Sequence, residues 1–304
     1  MNKLLFILLL ITQLTHAQSY VSFLDVDVKH KKEKTTIFNN IKTVPFAIIE
    51  GMILVEANMN QQNGNYIIDT GAPTLIINEK PTANGLRAGR GISESLVTAE
   101  VTIKDFNWSG IHKTNISAYK VDISHLEKVS GKAIEGIIGY DILKEVELLV
   151  DYQNHTLQLI PIQTIKKESH QPLAIIPFTM QAHLPVIKVN IGKKKLRLAL
   201  DTASERNILD VKILKKLADN CISNKQVGEI QGVDQQIKKV QVASIQQTTI
   251  EDLAFDNMSY LFTDLSHLKS ESDIYIDGLL GYPFFKQRKM SINYEEQRIY
   301  VWAQ

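Results

Sequence analysis

The chain has 304 residues, with 34 basic and 33 acidic side chains and a formal net charge of +1. That balance gives nothing to attract nucleic acid or a membrane surface, so neither is expected as a partner. The single cysteine, Cys221, excludes an intrachain disulfide framework, and the fold must be held together by its core.

The first predicted element is a leader. Asn2-Lys3 precede the apolar run Leu4–Leu14, and Thr15-His16-Ala17 closes it with small residues where a signal peptidase reads. The run is too short for a comfortable bilayer span. Residues 1–17 are therefore expected to be a cleaved signal peptide, with export to the periplasm or beyond the cell and no membrane anchor in the mature chain. Residues 18–43 read as an N-terminal arm, in which Val21–Val28 partly alternate as an edge strand does. The lysines around His30 read as a solvated loop. Cys221 reads as a small buried hydrophobe.

Strand signals begin at Val44. Met52–Val55 is a short apolar run, Asn60–Asn65 is turn chemistry around Gly64, and Tyr66-Ile67-Ile68 leads into Asp69-Thr70-Gly71-Ala72. Gly85, Gly89 and Gly91 punctuate a loop, and Leu96–Phe106 alternates. Gly136–Lys144 reads as a turn and a short helix, with Asp141 as its cap. The same order then returns. Val186–Ile191 and Leu196–Leu200 flank a lysine turn and lead into Asp201-Thr202-Ala203-Ser204. Asp210–Asp219 has helical spacing, Gly228 and Gly232 punctuate a loop, and Gly278-Leu279-Leu280-Gly281 matches Gly136-Ile137-Ile138-Gly139. The endings Leu149–Tyr152 and Ser291–Tyr294 also match, as do Val44-Pro45-Phe46 and Ile176-Pro177-Phe178.

This is a duplication. It predicts an all-β protein with one lobe at 44–161, a polar linker at 162–175 and a second lobe at 176–304. Each lobe delivers an acid between apolar strands, where an ionised carboxylate is expensive without a partner or a task. The plain alternative is a pair of turn or cap acids in a structural β-protein. If the acids meet, they cannot both ionise cheaply, and they share a proton. One then acts as base on a water and the other as acid toward a carbonyl oxygen, which hydrolyses an amide with no covalent intermediate and no cofactor. Thr70 and Thr202 are placed to hydrogen-bond across the axis, and Gly71 lets backbone approach the acids closely. Tyr66, Tyr140 and Tyr282 read as packing residues. The histidines are scattered without ligand spacing, so no metal is expected.

Asp69-Thr70-Gly71-Ala72, followed later by two aliphatics and a glycine, resembles the retropepsin-like aspartic proteases. Two such halves resemble the bilobal, pepsin-type arrangement, with the shorter lobes of bacterial relatives. The resemblance spans about Val44 to Trp302 and implies two β-barrel lobes with a cleft between them. It also implies a monomer with pseudo-two-fold lobes acting on a peptide or protein substrate. Carried over, Asp69 and Asp201 are the catalytic pair, Thr70 and Thr202 the interlocking hydroxyls, Gly71 the backbone contact, and Gly139 and Gly281 scaffold. Flaps are implied near Gly89–Ser95 and Gly228–Gly232.

Ala203 departs from the family, which has glycine there. At negative φ its methyl costs little; at positive φ it costs about 1 kcal/mol and shifts the loop. An ångström of displacement would disable the dyad. Two readings therefore stand: an aspartic endopeptidase, or a catalytically impaired aspartic-protease-like protein that binds peptides. A third pairs Asp69 with Asp69 across a homodimer.

Overall fold

The computed structural model describes residues 33–80, 86–90, 95–162, 171–217, 222–231, 237–266 and 274–303. The leader at 1–17, the Val21–Val28 strand, Gly85, Gly91, Gly232 and Cys221 lie outside them, as do residues 163–170 of the linker.

The chain is all-β, in two lobes, and each lobe closes a ring of six strands. In the first, Met52–Met59 pairs with Gln62–Ile68, which runs parallel to Gly136–Ile138. That short strand pairs antiparallel with Leu75–Asn78, which runs parallel to Ile111–Val121. Ser95–Trp108 pairs with Ile111–Val121 and returns to Met52–Met59, closing the ring. The second lobe repeats each step with Leu184–Ile191, Lys194–Leu200, Gly278–Leu280, Asn207–Asp210, Leu253–Thr263 and Ile237–Ile250. Closure leaves no bare edge among these strands.

The glycine-led strands differ from the sequence expectation. Gly136–Ile138 is a strand before it is a turn, and the helix is confined to Tyr140–Leu143. Gly139, with extended backbone, is the helix N-cap; Asp141 sits in the first turn and pairs with Lys144 instead. Gly139 and Gly281 are placed where the backbone leaves the strand and must pass close to the acid loop. The helix expected over Asp210–Asp219 is also shorter, Val211–Leu214, and Asp210 caps it by accepting from the Lys212 N–H at 2.7 Å.

A third sheet joins the lobes. Lys42–Pro45, Thr156–Pro161 and Val146–Asp151 come from the first half, and Lys289–Asn293, Arg298–Trp302 and Ala174–Pro177 from the second. Its central pairing sets Leu149 opposite Ser291. These are equivalent positions of the repeat, so the pseudo-two-fold axis runs through that pair. Glu147 is buried across the seam; Ser291 Oγ donates to it at 2.5 Å and Asn293 Nδ2 at 3.0 Å. A buried carboxylate without such donors would be costly. The strands Lys42–Pro45 and Ala174–Pro177 each run across an expected lobe boundary, because the shared sheet draws residues from both flanking segments.

Candidate active site

Asp69 and Asp201 stand at the ends of the strands Gln62–Ile68 and Lys194–Leu200. Each strand is apolar and buried as it approaches its acid. The parallel glycine strand fixes the exit, because Asp69 N–H donates to the Ile138 carbonyl at 3.0 Å and Asp201 N–H to the Leu280 carbonyl at 2.9 Å. Gly139 and Gly281 then press on the loop just after each acid. A Cβ on Gly139 would lie 2.4 Å from the Thr74 oxygen, and one on Gly281 would lie 2.4 Å from the Ser204 oxygen. From the next residues, the Tyr140 and Tyr282 N–H groups bind the Ala72 and Ser204 carbonyls, each at 2.9 Å.

The two loops lock across the axis. Thr70 N–H donates to Thr202 Oγ1 and Thr202 N–H donates to Thr70 Oγ1, both at 3.1 Å. Thr70 Oγ1 donates to the Leu200 carbonyl at 3.0 Å, and Thr202 Oγ1 to the Ile68 carbonyl at 2.8 Å. Four buried backbone groups are satisfied by two hydroxyls, all between lobes. Thr70→Val or Thr202→Val keeps the volume and orphans one buried N–H and one buried carbonyl. Each substitution should cost about 2 to 4 kcal/mol, read as a fall in urea midpoint. Loss of less than half that would show that the lobes are held elsewhere.

This lock brings the two acids together, and both are fully buried. Fixed donors reach one oxygen of each. Gly71 N–H meets Asp69 Oδ1 at 2.6 Å, and Ala203 N–H meets Asp201 Oδ1 at 3.0 Å. The other oxygen of each, Oδ2, is buried with no fixed donor. The carboxyls lie within hydrogen-bond reach of each other, so a proton on one acid is the donor that the other lacks. Burial pushes the Asp69 carboxyl up to about 7. Burial, and then the charge of Asp69, push Asp201 well above the carboxylate range. At neutral pH the pair therefore holds on to a proton.

Gly71 lies between the carboxyls. A Cβ there would stand 3.0 Å from Asp69 Oδ1 and 3.2 Å from Asp201 Cγ, so the glycine makes room for the contact. Ala203 is not among the residues with positive φ, so its methyl adds no backbone strain. It is buried in a cluster with Met52, Leu54, Ile67 and Ala72 of the first lobe. The departure from glycine is absorbed as an interlobe apolar contact, and the Ala203 N–H keeps its place on Asp201.

Two aromatic triads, related by the same axis, sit beside the pair. Phe46 and Tyr282 pack edge-on against Tyr152, with centroids 5.6 and 5.3 Å away. Phe178 and Tyr140 pack edge-on against Tyr294 at 6.0 and 5.2 Å. Tyr140 and Tyr282 are thus packing residues, as their sequence context predicts, and each packs on the end of the opposite half. Such edge-on contacts add to the burial of each ring. Burial pushes the Tyr152 and Tyr294 phenols up, with further contributions from the charges of Asp201 and Asp69 respectively, so both stay protonated. Tyr66 is buried in the first lobe, edge-on to Phe106 at 5.5 Å.

The sequence reading passed over Tyr152, Tyr294 and His183. The first two were legible as a matched pair in the repeat. The candidate flaps fall on two hairpins, Leu86–Arg90 with Ser95–Trp108 and Ile222–Gln231 with Ile237–Ile250; residues 91–94 and 232–236 between their strands lie outside the described residues. Among the described residues no group of His, Cys, Asp and Glu is arranged to hold a metal, and no helix is long and apolar enough to cross a membrane.

Two six-stranded rings thus present paired Asp-Thr loops to each other. A family model described as aspartyl protease matches residues 187–284, about a third of the chain. The matched stretch holds Asp201, Thr202, Ala203 and Gly281, and it supports an aspartyl protease family with general aspartic protease function. No curated protein matches the chain.

Proposed function

We propose that the protein is an exported, two-lobed aspartic endopeptidase that uses Asp69 and Asp201 on a water nucleophile. The observation that carries this is the pair of buried Oδ2 atoms on the pseudo-axis, served by no fixed donor. The hydroxyls of the same two loops, on Thr70, Thr202 and Ser204, are all hydrogen-bonded, and a proton shared between the acids supplies the donor that the Oδ2 atoms lack. In the reaction the ionised acid takes a proton from water as its oxygen attacks the peptide carbonyl. The protonated acid gives its proton to the carbonyl oxygen. Collapse of the tetrahedral intermediate moves a proton to the leaving nitrogen and returns the pair to its starting state. The Thr70–Thr202 lock holds both carboxyls still during these transfers.

One chain supplies both acids, so a homodimer pairing Asp69 with Asp69 has no structural motive. The peptide-binding alternative draws on one observation, the complete burial of both carboxyls; on that reading the site holds a chain without admitting water. The test is digestion of a diverse peptide library by residues 18–304 from pH 3 to pH 8, with the Asp69→Asn variant alongside. Cleavage that disappears in the variant is expected. Tight peptide binding by a folded protein that cleaves nothing at any pH would give the alternative its place.

A further inference from the structure

Besides Gly71 and Ala203, the two halves of the site differ at one turn. The hairpin turns Glu50-Gly51 and Ala182-His183 are equivalent, as the registers Ile49 opposite Met52 and Gln181 opposite Leu184 show. In the first lobe the turn ends in Gly51, at φ 86°, with the Tyr282 ring packed where a side chain would be. In the second lobe it ends in an imidazole. His183 is 8% exposed, and its Nε2 lies 2.7 Å from the Gly71 carbonyl oxygen. A carbonyl only accepts, so Nε2 carries the hydrogen and donates across the lobe boundary.

The Gly71 carbonyl belongs to the same peptide unit as the Ala72 N–H. That N–H donates to the Asp69 main-chain carbonyl at 3.3 Å and lies close enough to the Asp69 carboxyl to lower its pKa, while the Gly71 N–H meets the carboxyl directly at 2.6 Å. A donor on the carbonyl polarises the peptide and strengthens what its N–H offers the acid. The described residues place no side-chain donor on the carbonyl of Ala203, the matching position beside Asp201, and Gly51 has no side chain to reach it. We propose that His183 is a positioning residue for the dyad: its Nε2–H, seated on the Gly71 carbonyl, fixes the peptide beside Asp69 and helps to make the two acids unequal. Asp69 becomes the acid that carries the negative charge, and Asp201 the one that carries the proton.

The groups facing these residues agree with that assignment. Burial lowers His183 below the ordinary histidine range, against the opposing effects of the Gly71 carbonyl and the Asp141 charge, which favours the neutral imidazole. Asp69 is faced by Asp201 and by the protonated Tyr294, and Asp201 by Asp69 and the protonated Tyr152. None of these substitutes for the imidazole donor.

The inference rests on the endopeptidase reading, and its test is chosen to stand apart from it. His183→Leu removes the donor at similar bulk; His183→Gln keeps an N–H at the same reach. Asp69 is followed by carboxyl carbon NMR, with Asp69→Asn for assignment, and peptide hydrolysis is followed against pH. In His183→Leu, Asp69 should titrate about one pH unit higher, and the acid limb of kcat/KM should move with it. The same variant should lose about tenfold in kcat with little change in KM. His183→Gln should restore most of both. Unchanged Asp69 titration in a folded His183→Leu, or a Gln variant no better than Leu, overturns the proposal. Nitrogen NMR of the wild-type imidazole tests the same point without a substitution: Nε2 must be protonated at neutral pH, and the Nδ1–H tautomer would refute it. If the wild type cleaves no peptide, the endopeptidase reading fails, and the carboxyl titration still decides the role of His183.

Discussion

Replacing Asp201 by asparagine should abolish peptide hydrolysis and, at pH 7, make the protein more stable. The first effect follows from removing the proton donor of the pair, and a loss on the order of 1,000-fold or more in kcat/KM is expected. The second follows from linkage. Burial holds the Asp69 carboxyl up at about 7, against 3.8 when free, and raises Asp201 as well. Between those two values the folded protein binds protons that the unfolded chain has released. The pair therefore stabilises the fold most in acid, below pH 4, and the stability falls as pH rises toward 7. Asparagine at 201 carries no charge, offers Asp69 an amide donor, and removes the like charge that Asp69 would otherwise face.

Thermal or urea unfolding at pH 4, 5.5 and 7 should thus show a wild type that weakens across the range. The Asp201→Asn curve should be flatter and should lie above it at pH 7. An acid that merely caps a turn gives the reverse sign, because its ionised form is the one the fold binds. A variant that is less stable at pH 7, or one that keeps full activity, would show that these carboxylates are structural.

Gly136→Ala and Gly278→Ala should each be among the most damaging single methyl additions in the protein, at about 4 kcal/mol. The reason is steric. A Cβ on Gly136 would stand 2.0 Å from the Ile76 carbonyl oxygen, and one on Gly278 would stand 2.0 Å from the Ile208 oxygen. Both obstacles are backbone in the closed ring, so neither can swing aside as a side chain would. The glycine strand also carries the carbonyls that hold the Asp69 and Asp201 N–H groups. Damage there should consequently reach the dyad, and any folded fraction should lose activity out of proportion to its abundance. Gly131 is the control. It has φ 64° at the end of the helix Ser124–Ser130, with nothing within 4 Å of where a methyl would stand. Gly131→Ala should cost only about 1 kcal/mol, from backbone conformation alone. Similar costs at all three positions, measured by urea unfolding, would refute the packing argument.

Much of this architecture was legible without coordinates, for a local reason. Each lobe announces itself by patterns that lie within a few residues of one another: an apolar strand before Asp69 or Asp201, Thr next, and Gly-aliphatic-aliphatic-Gly later. Such patterns fix which face is buried and where the backbone must lack a side chain, and duplication makes chance agreement improbable. The all-β class, the two lobes and the meeting of the two Asp-Thr loops follow from that. Periodicity was a poorer guide at element ends. Gly136–Ile138 forms a strand because it threads between two others in the ring, a partnership that three residues cannot reveal. Asp141 lost the cap to Gly139 because the chain there must pass within van der Waals contact of the acid loop.

What the tertiary structure alone decided is how the halves treat each other. The sequence posed the question of Ala203 and could not answer it, because the answer depends on a backbone angle and on which lobe receives the methyl. Tyr152 and Tyr294 are visible as a matched pair, yet only the crossing of the two halves over one sheet sets each beside the other half's helix. His183 is the clearest case. As a residue it is one scattered histidine in a turn; as one of the breaks in the repeat, opposite Gly51, it is a difference without a stated consequence. Its bond to Gly71 joins positions 112 apart in the chain. A contact at that range is set by strand register and lobe docking, and local sequence carries neither.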